Sequence, residues 1–143
     1  MSISRIERMW AEGKLPIHDG LYRADGSSWT IGIDVSARPS IDLLGPFDLE
    51  SFLDADPDYM AAIDITIEKE IPGGSGFMCA GEGSHGSEGF FARLDRRRRL
   101  IWVVYLEFSN PFIEMVIDER VALVPSSSGL CISVDLTYPE FSN

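Results

Sequence analysis

The chain has 143 residues, of which 45% are hydrophobic and 24% are charged, and its 23 acidic and 12 basic residues give a net charge of -11. This hydrophobic content excludes a disordered chain, and the negative charge disfavours nucleic acids and acidic membranes as partners while it attracts basic proteins. No stretch approaches the roughly 20 apolar residues of a membrane span, and the N-terminus lacks an apolar run of signal-peptide length, so we expect a cytoplasmic protein.

Two segments carry the pattern of short helices. Apolar residues at helical spacing mark the first, and these are Ile3, Ile6 and Trp10. Ser2 or Ser4 is available as its N-cap. The second runs from Phe47 to Leu53 and ends before Asp56–Pro57, because the residue before a proline is disfavoured in helical geometry.

Alternation of apolar and polar residues predicts half-buried strands at Trp29–Val35 and Ile63–Ile67. Farther along, short apolar runs separated by turn residues predict an antiparallel meander of Phe90–Leu94, Leu100–Phe108, Phe112–Ile117, Val121–Val124 and Leu130–Leu136. Because Leu100–Leu106 is apolar at both parities, this strand is predicted to lie in the centre of the sheet with both faces covered. We therefore predict an α+β fold, a single domain over residues 1–143 that is mostly antiparallel meander with one or two short helices packed on it.

More than half of the 13 glycines lie between Pro72 and Gly89, and this density predicts a mobile or tightly turned loop. Within it, Gly81–Gly86 has the glycine pattern of a dinucleotide-binding turn. A strand-like segment follows where that motif requires a helix, so no nucleotide and no other cofactor is predicted. The alternative function that this segment predicts is a small-ligand site or enzyme, with the loop as a lid over a pocket bearing Cys79, Glu82 and His85.

The two cysteines, Cys79 and Cys131, are predicted to be reduced thiols. A catalytic pair of Cys79 with His85 is disfavoured, because the neighbouring Glu82 and Glu88 oppose formation of the thiolate. The cysteines and the two histidines also lack the paired spacing of a structural zinc site. Neither a catalytic residue nor a metal site is predicted from them.

Asp54, Asp56 and Asp58 match the first three ligand positions of a calcium-binding loop. Tyr59 stands where that loop needs a glycine, and Ile65 stands where it needs a bidentate glutamate. We interpret the three aspartates as a solvated acidic helix end rather than as a metal site.

Four consecutive arginines, Arg96–Arg99, lie between two strand-like segments and are predicted to form a hairpin tip. Nucleic-acid binding would need a wider basic face in a less negative surrounding field. A solvated turn, or a contact with an acidic protein, is the favoured interpretation.

Acidic residues are concentrated between Asp42 and Glu70, where nine of them are opposed by Lys69 alone. One interpretation is a surface that keeps the protein soluble, and the other is a negative patch that accelerates encounter with a basic protein. For a partner-binding patch, the predicted contacts are five carboxylates and one aromatic anchor, namely Asp54, Asp56, Asp58, Asp64, Glu68 and Tyr59.

The segment Gly81–Phe112, GEGSHGSEGFFARLDRRRRLIWVVYLEFSNPF, with a late strand ending in Val134–Asp135–Leu136, resembles small bacterial immunity proteins encoded beside polymorphic or contact-delivered toxins. Such proteins are short, acidic and cytoplasmic, with strand-rich meanders and glycine-containing loops. The resemblance implies a non-catalytic inhibitor that binds and neutralises a basic toxin such as a nuclease. We expect the protein itself to be a monomer or a homodimer.

Overall fold

The computed structural model describes residues 3–34 and 39–139. Within these ranges the chain forms two short helices and eleven strands, and every strand pair is antiparallel. The elements are α1 (Arg5–Ala11), β1 (Lys14–Pro16), β2 (Gly20–Arg23), β3 (Ser28–Asp34), β4 (Ser40–Pro46), α2 (Leu49–Ala55), β5 (Met60–Glu70), β6 (Phe77–Gly83), β7 (Gly89–Leu94), β8 (Leu100–Leu106), β9 (Val116–Asp118), β10 (Val121–Pro125) and β11 (Cys131–Asp135). The prediction of a mostly antiparallel sheet with two short helices is confirmed.

The strands form a large sheet in the order β1-β5-β6-β7-β8-β2-β3-β4 and a small sheet in the order β11-β10-β9. The central strands of the large sheet, β6, β7, β8 and β2, are buried on both faces, whereas β4 and β5 are largely exposed. On its helix-side face, α1 and α2 contribute to a cluster that includes Ile6, Met9, Leu53, Phe90 and Tyr105. On the opposite face, the small sheet completes a cluster that includes Phe91, Trp102, Val104, Val124 and Ile132.

Strand β8 lies near the middle of the large sheet, as its uninterrupted apolar sequence predicted. Trp102 and Val104 point into the cluster beneath the small sheet, whereas Val103 and Tyr105 point into the helix-side cluster. Neighbouring residues of a strand face opposite sides, so a strand covered on both sides must be apolar at every position.

Local sequence explains the helix ends and the arginine turn. The Ser4 hydroxyl accepts the Glu7 amide and the Glu7 carboxylate accepts the Ser4 amide, which completes a capping box at the start of α1. Ser2 lies outside the described residues. Arg96–Arg99 forms the β7–β8 hairpin turn, where the Asp95 carboxylate accepts the amides of Arg97 and Arg99 at 2.8 and 2.9 Å.

The predicted loop between Pro72 and Gly89 is wrong in its middle, because Phe77–Gly83 is strand β6, paired with β5 and β7. Met78 and Ala80 enter one core cluster and Cys79 enters the other. Two of the glycines that indicated a loop, Gly81 and Gly83, serve close packing instead, whereas Gly73, Gly74 and Gly86 have positive φ and lie in the connecting turns. A Cβ at Gly81 would overlap the backbone carbonyl of Asp64, so only glycine allows β5 to approach at its bulge.

The predicted continuous meander is wrong after β8, because β8 pairs with β2, and β9, β10 and β11 form the separate small sheet. Phe112 makes an isolated bridge to Ser126, and the strand that follows, β9, covers only Val116–Asp118. Strands β1, β2 and β4 were not predicted, and Val35, the predicted end of a strand, lies outside the described residues. Across the described ranges, no helix combines the length and the apolar composition needed to cross a membrane.

Candidate functional site

A cleft of about 450 Å³ opens at the end of the large sheet where the β6–β7 turn, the end of β8 and the start of β5 meet. We call it the acidic cleft, because three carboxylates line it and, among the described residues, no lysine or arginine does. Its lining residues are Ile17, Asp58, Tyr59, Met60, His85, Ser87, Glu88, Glu107 and Phe108.

Glu88 forms the floor of the acidic cleft and is only 2% exposed. The buried hydroxyl of Tyr105 donates to its Oε2 atom. The His85 amide donates to its Oε1 atom at 2.9 Å, and His85 Nδ1 lies 3.2 Å from that oxygen. A Cβ at Gly83 would overlap the Glu88 carboxylate, so the glycine makes the space that the buried charge occupies. Hydrogen bonds of this kind compensate the cost of removing a carboxylate from water.

Glu107 lies beside Glu88 across the β7–β8 ladder. The last pair of that ladder is Gly89 with Leu106. If the antiparallel register is continued by one residue on each strand, Glu88 comes opposite Glu107. The Asp19 carboxylate approaches from the β2 side and accepts the Glu107 amide at 2.8 Å. Burial, and then the charges of Asp19 and Glu88, raise the pKa of Glu107. Like charges opposite each other on a sheet repel, so this end of the sheet is electrostatically strained.

Two exposed aromatic side chains stand at the acidic cleft. Tyr59 is 45% exposed and its ring lies 5.6 Å from that of Phe52. Phe108 follows Glu107 directly and is 79% exposed. Phe108 also lines a neighbouring hollow of about 180 Å³ that Asp19 and Leu130 reach. At this exposure the Phe108 ring contributes little to the core and is accessible to a ligand.

His18, which precedes Asp19 in the chain, does not line the acidic cleft and has a structural role instead. Its ring stacks on Phe47 with centroids 3.9 Å apart, and its Nε2 atom is 2.8 Å from the Thr30 hydroxyl. Burial lowers the pKa of His18, although the charge of Asp19 partly opposes this shift. The stacking and the hydrogen bond anchor the segment between β1 and β2.

The predicted partner-binding residues divide into two groups. Asp58 and Tyr59 line the acidic cleft, whereas the other four do not: Asp54, Asp56, Asp64 and Glu68. Asp56 is the C-cap residue of α2, and its carboxylate accepts the Asp58 amide at 3.2 Å. Glu68 is paired with Arg98 at 3.1 Å, 30 residues away along the chain. Asp54 and Asp64 are exposed.

The alternative ligand residues do not converge either. Cys79 is fully buried in the helix-side cluster, and burial, then the charge of Glu68, raises its pKa to about 12. Glu82 is half-buried on β6, opposite Asp64. Of the three predicted residues, only His85 lines the acidic cleft. A thiol with this pKa stays protonated at neutral pH, so Cys79 lacks the reactivity of a nucleophile.

Sequence reasoning missed Glu88, Glu107 and Phe108 as site residues. A sequence signal for two of them was available, because Glu107 and Phe108 follow the apolar run of β8 directly, and a charged residue there indicates that the buried strand has ended. No sequence pattern indicates that Glu88 is buried. Its burial depends on Gly83 of β6 and Tyr105 of β8, which strand pairing with β7 brings to either side of it. Among the described residues, no group of three or more His, Cys, Asp or Glu side chains is arranged to hold a metal ion.

No protein-family model, no curated protein and no solved structure matches this chain. The acidic cleft is therefore interpreted from its own geometry and charge.

Proposed function

We propose that the protein binds and inhibits a basic partner protein, as immunity proteins do with their toxins, and that the acidic cleft is its docking site. The observation that carries this proposal is the composition of the cleft, in which three carboxylates and two exposed aromatic rings occur with no lysine or arginine among the described lining residues. Aromatic anchors dominate binding energy at interfaces, and complementary charge accelerates association.

The charge of the whole molecule supports the same proposal. A net charge of -11 creates a long-range field that steers a basic protein towards the surface. Local contacts then decide the orientation. Asp58 and Tyr59 come from the segment after α2, whereas Glu107 and Phe108 directly follow β8. A ligand in the cleft would therefore touch two separate parts of the fold.

The surroundings of Glu88 and Cys79 support a binding role rather than a catalytic one. Glu88 accepts hydrogen bonds from Tyr105 and from the His85 backbone, which fix it as a buried charge. The thiol of Cys79 is enclosed in the core. We expect the inhibitor to act in the cytoplasm by covering a basic active site, such as that of a nuclease.

The test uses two double variants with the same change in net charge. Asp58→Asn with Glu107→Gln neutralises the acidic cleft, and Asp42→Asn with Asp118→Asn neutralises two exposed carboxylates elsewhere. The tagged parent is used to capture proteins from a lysate of its own source. Association of any captured basic protein is then measured at low and high salt, together with inhibition of its enzymatic activity.

We expect the parent to capture one basic protein at near-equal amount and to inhibit it. The cleft variant should associate more slowly at low salt and inhibit poorly, whereas the control variant should behave as the parent does. Equal binding by the two variants, or capture without inhibition, would contradict the proposal.

A small cationic ligand is the second candidate, because a volume of about 450 Å³ falls within the range of small-molecule sites. Stabilisation of the isolated protein by a polyamine or a cationic amino acid, with no captured protein, would favour this function over partner inhibition.

A further inference from the structure

The acidic cleft is built to receive positive charge. Glu107 lies between Asp19 and Glu88, and burial, followed by the charges of these two neighbours, raises its pKa. No described side chain donates a hydrogen bond to the carboxylates of Asp58 or Glu107. Two acceptors with free lone pairs therefore lie in a cavity whose own repulsion a cation would relieve.

The aromatic rings distinguish between the two kinds of basic side chain. A guanidinium group is planar, is weakly hydrated and stacks on aromatic faces, whereas an ammonium group is a strongly hydrated point charge. Tyr59 and Phe108 both line the acidic cleft, and both are exposed enough to be covered by a ligand. The fork of donors on arginine also matches carboxylates better than a lysine does.

The same chemistry already occurs elsewhere in the described part of this molecule. Arg98 places its guanidinium carbon 4.2 Å from the centroid of the Phe77 ring, and its Nη2 atom is 3.1 Å from the Glu68 carboxylate. One arginine is thus held by an aromatic face and a carboxylate together, at a partly exposed position. The acidic cleft offers the same two components without the arginine.

We propose that the acidic cleft takes one arginine side chain of the basic partner, with its guanidinium against the rings of Tyr59 and Phe108 and hydrogen-bonded to the carboxylates of Asp58 and Glu107. This inference rests on the proposed function and names the group that the partner inserts. The chain's own Arg96–Arg99 turn lies at the opposite end of β7 and β8, so it would reach this cleft only from a second copy.

The experiment titrates the isotope-labelled protein with three blocked amino acids and follows backbone amide shifts by NMR. The probes are the acetyl N-methylamides of arginine, lysine and citrulline, the last being a neutral analogue with nearly the shape of arginine. We expect shifts at Tyr59, Glu107 and Phe108 with the arginine probe, weaker binding of the lysine probe, and none with citrulline.

Variants connect the shifts to the proposed contacts. Glu107→Gln and Phe108→Ala should each weaken arginine binding by about two- to fivefold, since an exposed ion pair and an exposed cation–π contact each contribute up to about 1 kcal/mol. Asp42→Asn with Asp118→Asn is the matched control, with unchanged binding expected. The amide spectrum of each variant reports whether it is folded.

Three outcomes overturn the inference. The first is no binding of the arginine probe at about 20 mM, because the two ion pairs and two ring contacts together should exceed the roughly 2.3 kcal/mol that this affinity represents. The second is equal binding of lysine and arginine. The third is salt-sensitive self-association that Arg96→Ala with Arg97→Ala abolishes, because it assigns the cleft to a second copy.

Failure of this inference is distinguishable from failure of the proposed function. A captured basic protein that is inhibited as strongly after its contacting arginines are replaced by lysine would leave the function in place and refute the arginine site.

Discussion

The buried hydrogen bond between Tyr105 and Glu88 provides the sharpest test of how the acidic cleft is held together. Tyr105→Phe removes only the hydroxyl, because the ring remains in the helix-side cluster where the side chain has no exposed surface. The Glu88 carboxylate then loses one of its donors while staying buried. The expected cost is therefore that of a hydrogen bond to a charged group, about 1.5–3 kcal/mol.

Tyr22→Phe is the matched control. Tyr22 is equally buried and lies on β2, next to β8, but its hydroxyl donates to the neutral carbonyl of His18 at 2.7 Å. Its loss should cost about 1 kcal/mol. For 143 residues the unfolding entropy at the midpoint is about 0.3 kcal/mol/K, so Tm should fall by about 5–10 °C for Tyr105→Phe and about 3 °C for the control.

Thermal and urea unfolding of both variants, followed by circular dichroism, measures these differences. Combining Tyr105→Phe with Glu88→Gln in a double-mutant cycle isolates the pairwise coupling, for which we expect about 1–2 kcal/mol. Equal losses of stability for the two tyrosine variants, or additive effects in the cycle, would refute the argument that the hydroxyl stabilises a buried charge.

Three further measurements test other parts of the structure. Gly83→Ala should lower the free energy of unfolding by about 1–3 kcal/mol, because its Cβ would overlap the Glu88 carboxylate. Gly86→Ala, at φ 84° in open space, should lower it by about 1 kcal/mol. Urea unfolding compares the two variants, and equal losses of stability would contradict the packing argument. Glu107→Gln should raise Tm by about 1–3 °C at neutral pH. The folded-state pKa of Glu107 is raised, so the ionised side chain destabilises the fold as pH rises through that pKa. The Tm gain of Glu107→Gln should therefore vanish in acid, and a gain that scanning calorimetry finds independent of pH would contradict this reasoning. A thiol reagent should label exposed Cys131 but not buried Cys79 in the native protein, and both after unfolding; two labelled thiols without denaturant would contradict the burial.

How far the sequence predicted the fold is clearest at β6 and β8. The apolar run of β8 indicated a central strand by itself, because both of its faces needed cover. The glycines of β6 indicate a loop, since glycine normally opposes strand formation. In the structure, Gly81 makes room for the Asp64 carbonyl of β5, and Gly83 makes room for the carboxylate of Glu88, which precedes β7.

The candidate site follows the same division. The acidic stretch indicated a negative surface, and Asp58 and Tyr59 indeed line the acidic cleft. Glu68 belongs instead to an internal pair with Arg98, which no local pattern could reveal. Register brought Glu88 opposite Glu107, although the β7–β8 hairpin separates them along the chain.

The sequence by itself determined the properties that depend on neighbours along the chain. These are the net charge, the capped helix α1, the arginine turn and the apolar strand at the centre of the sheet. Tertiary structure alone decided which carboxylates meet, which glycine makes room for a buried charge and which arginine is already paired. The physical reason is the separation along the chain of the residues that interact. The hydrogen bonds of caps and turns join residues a few positions apart, whereas a cleft is made by side chains that only strand pairing brings together.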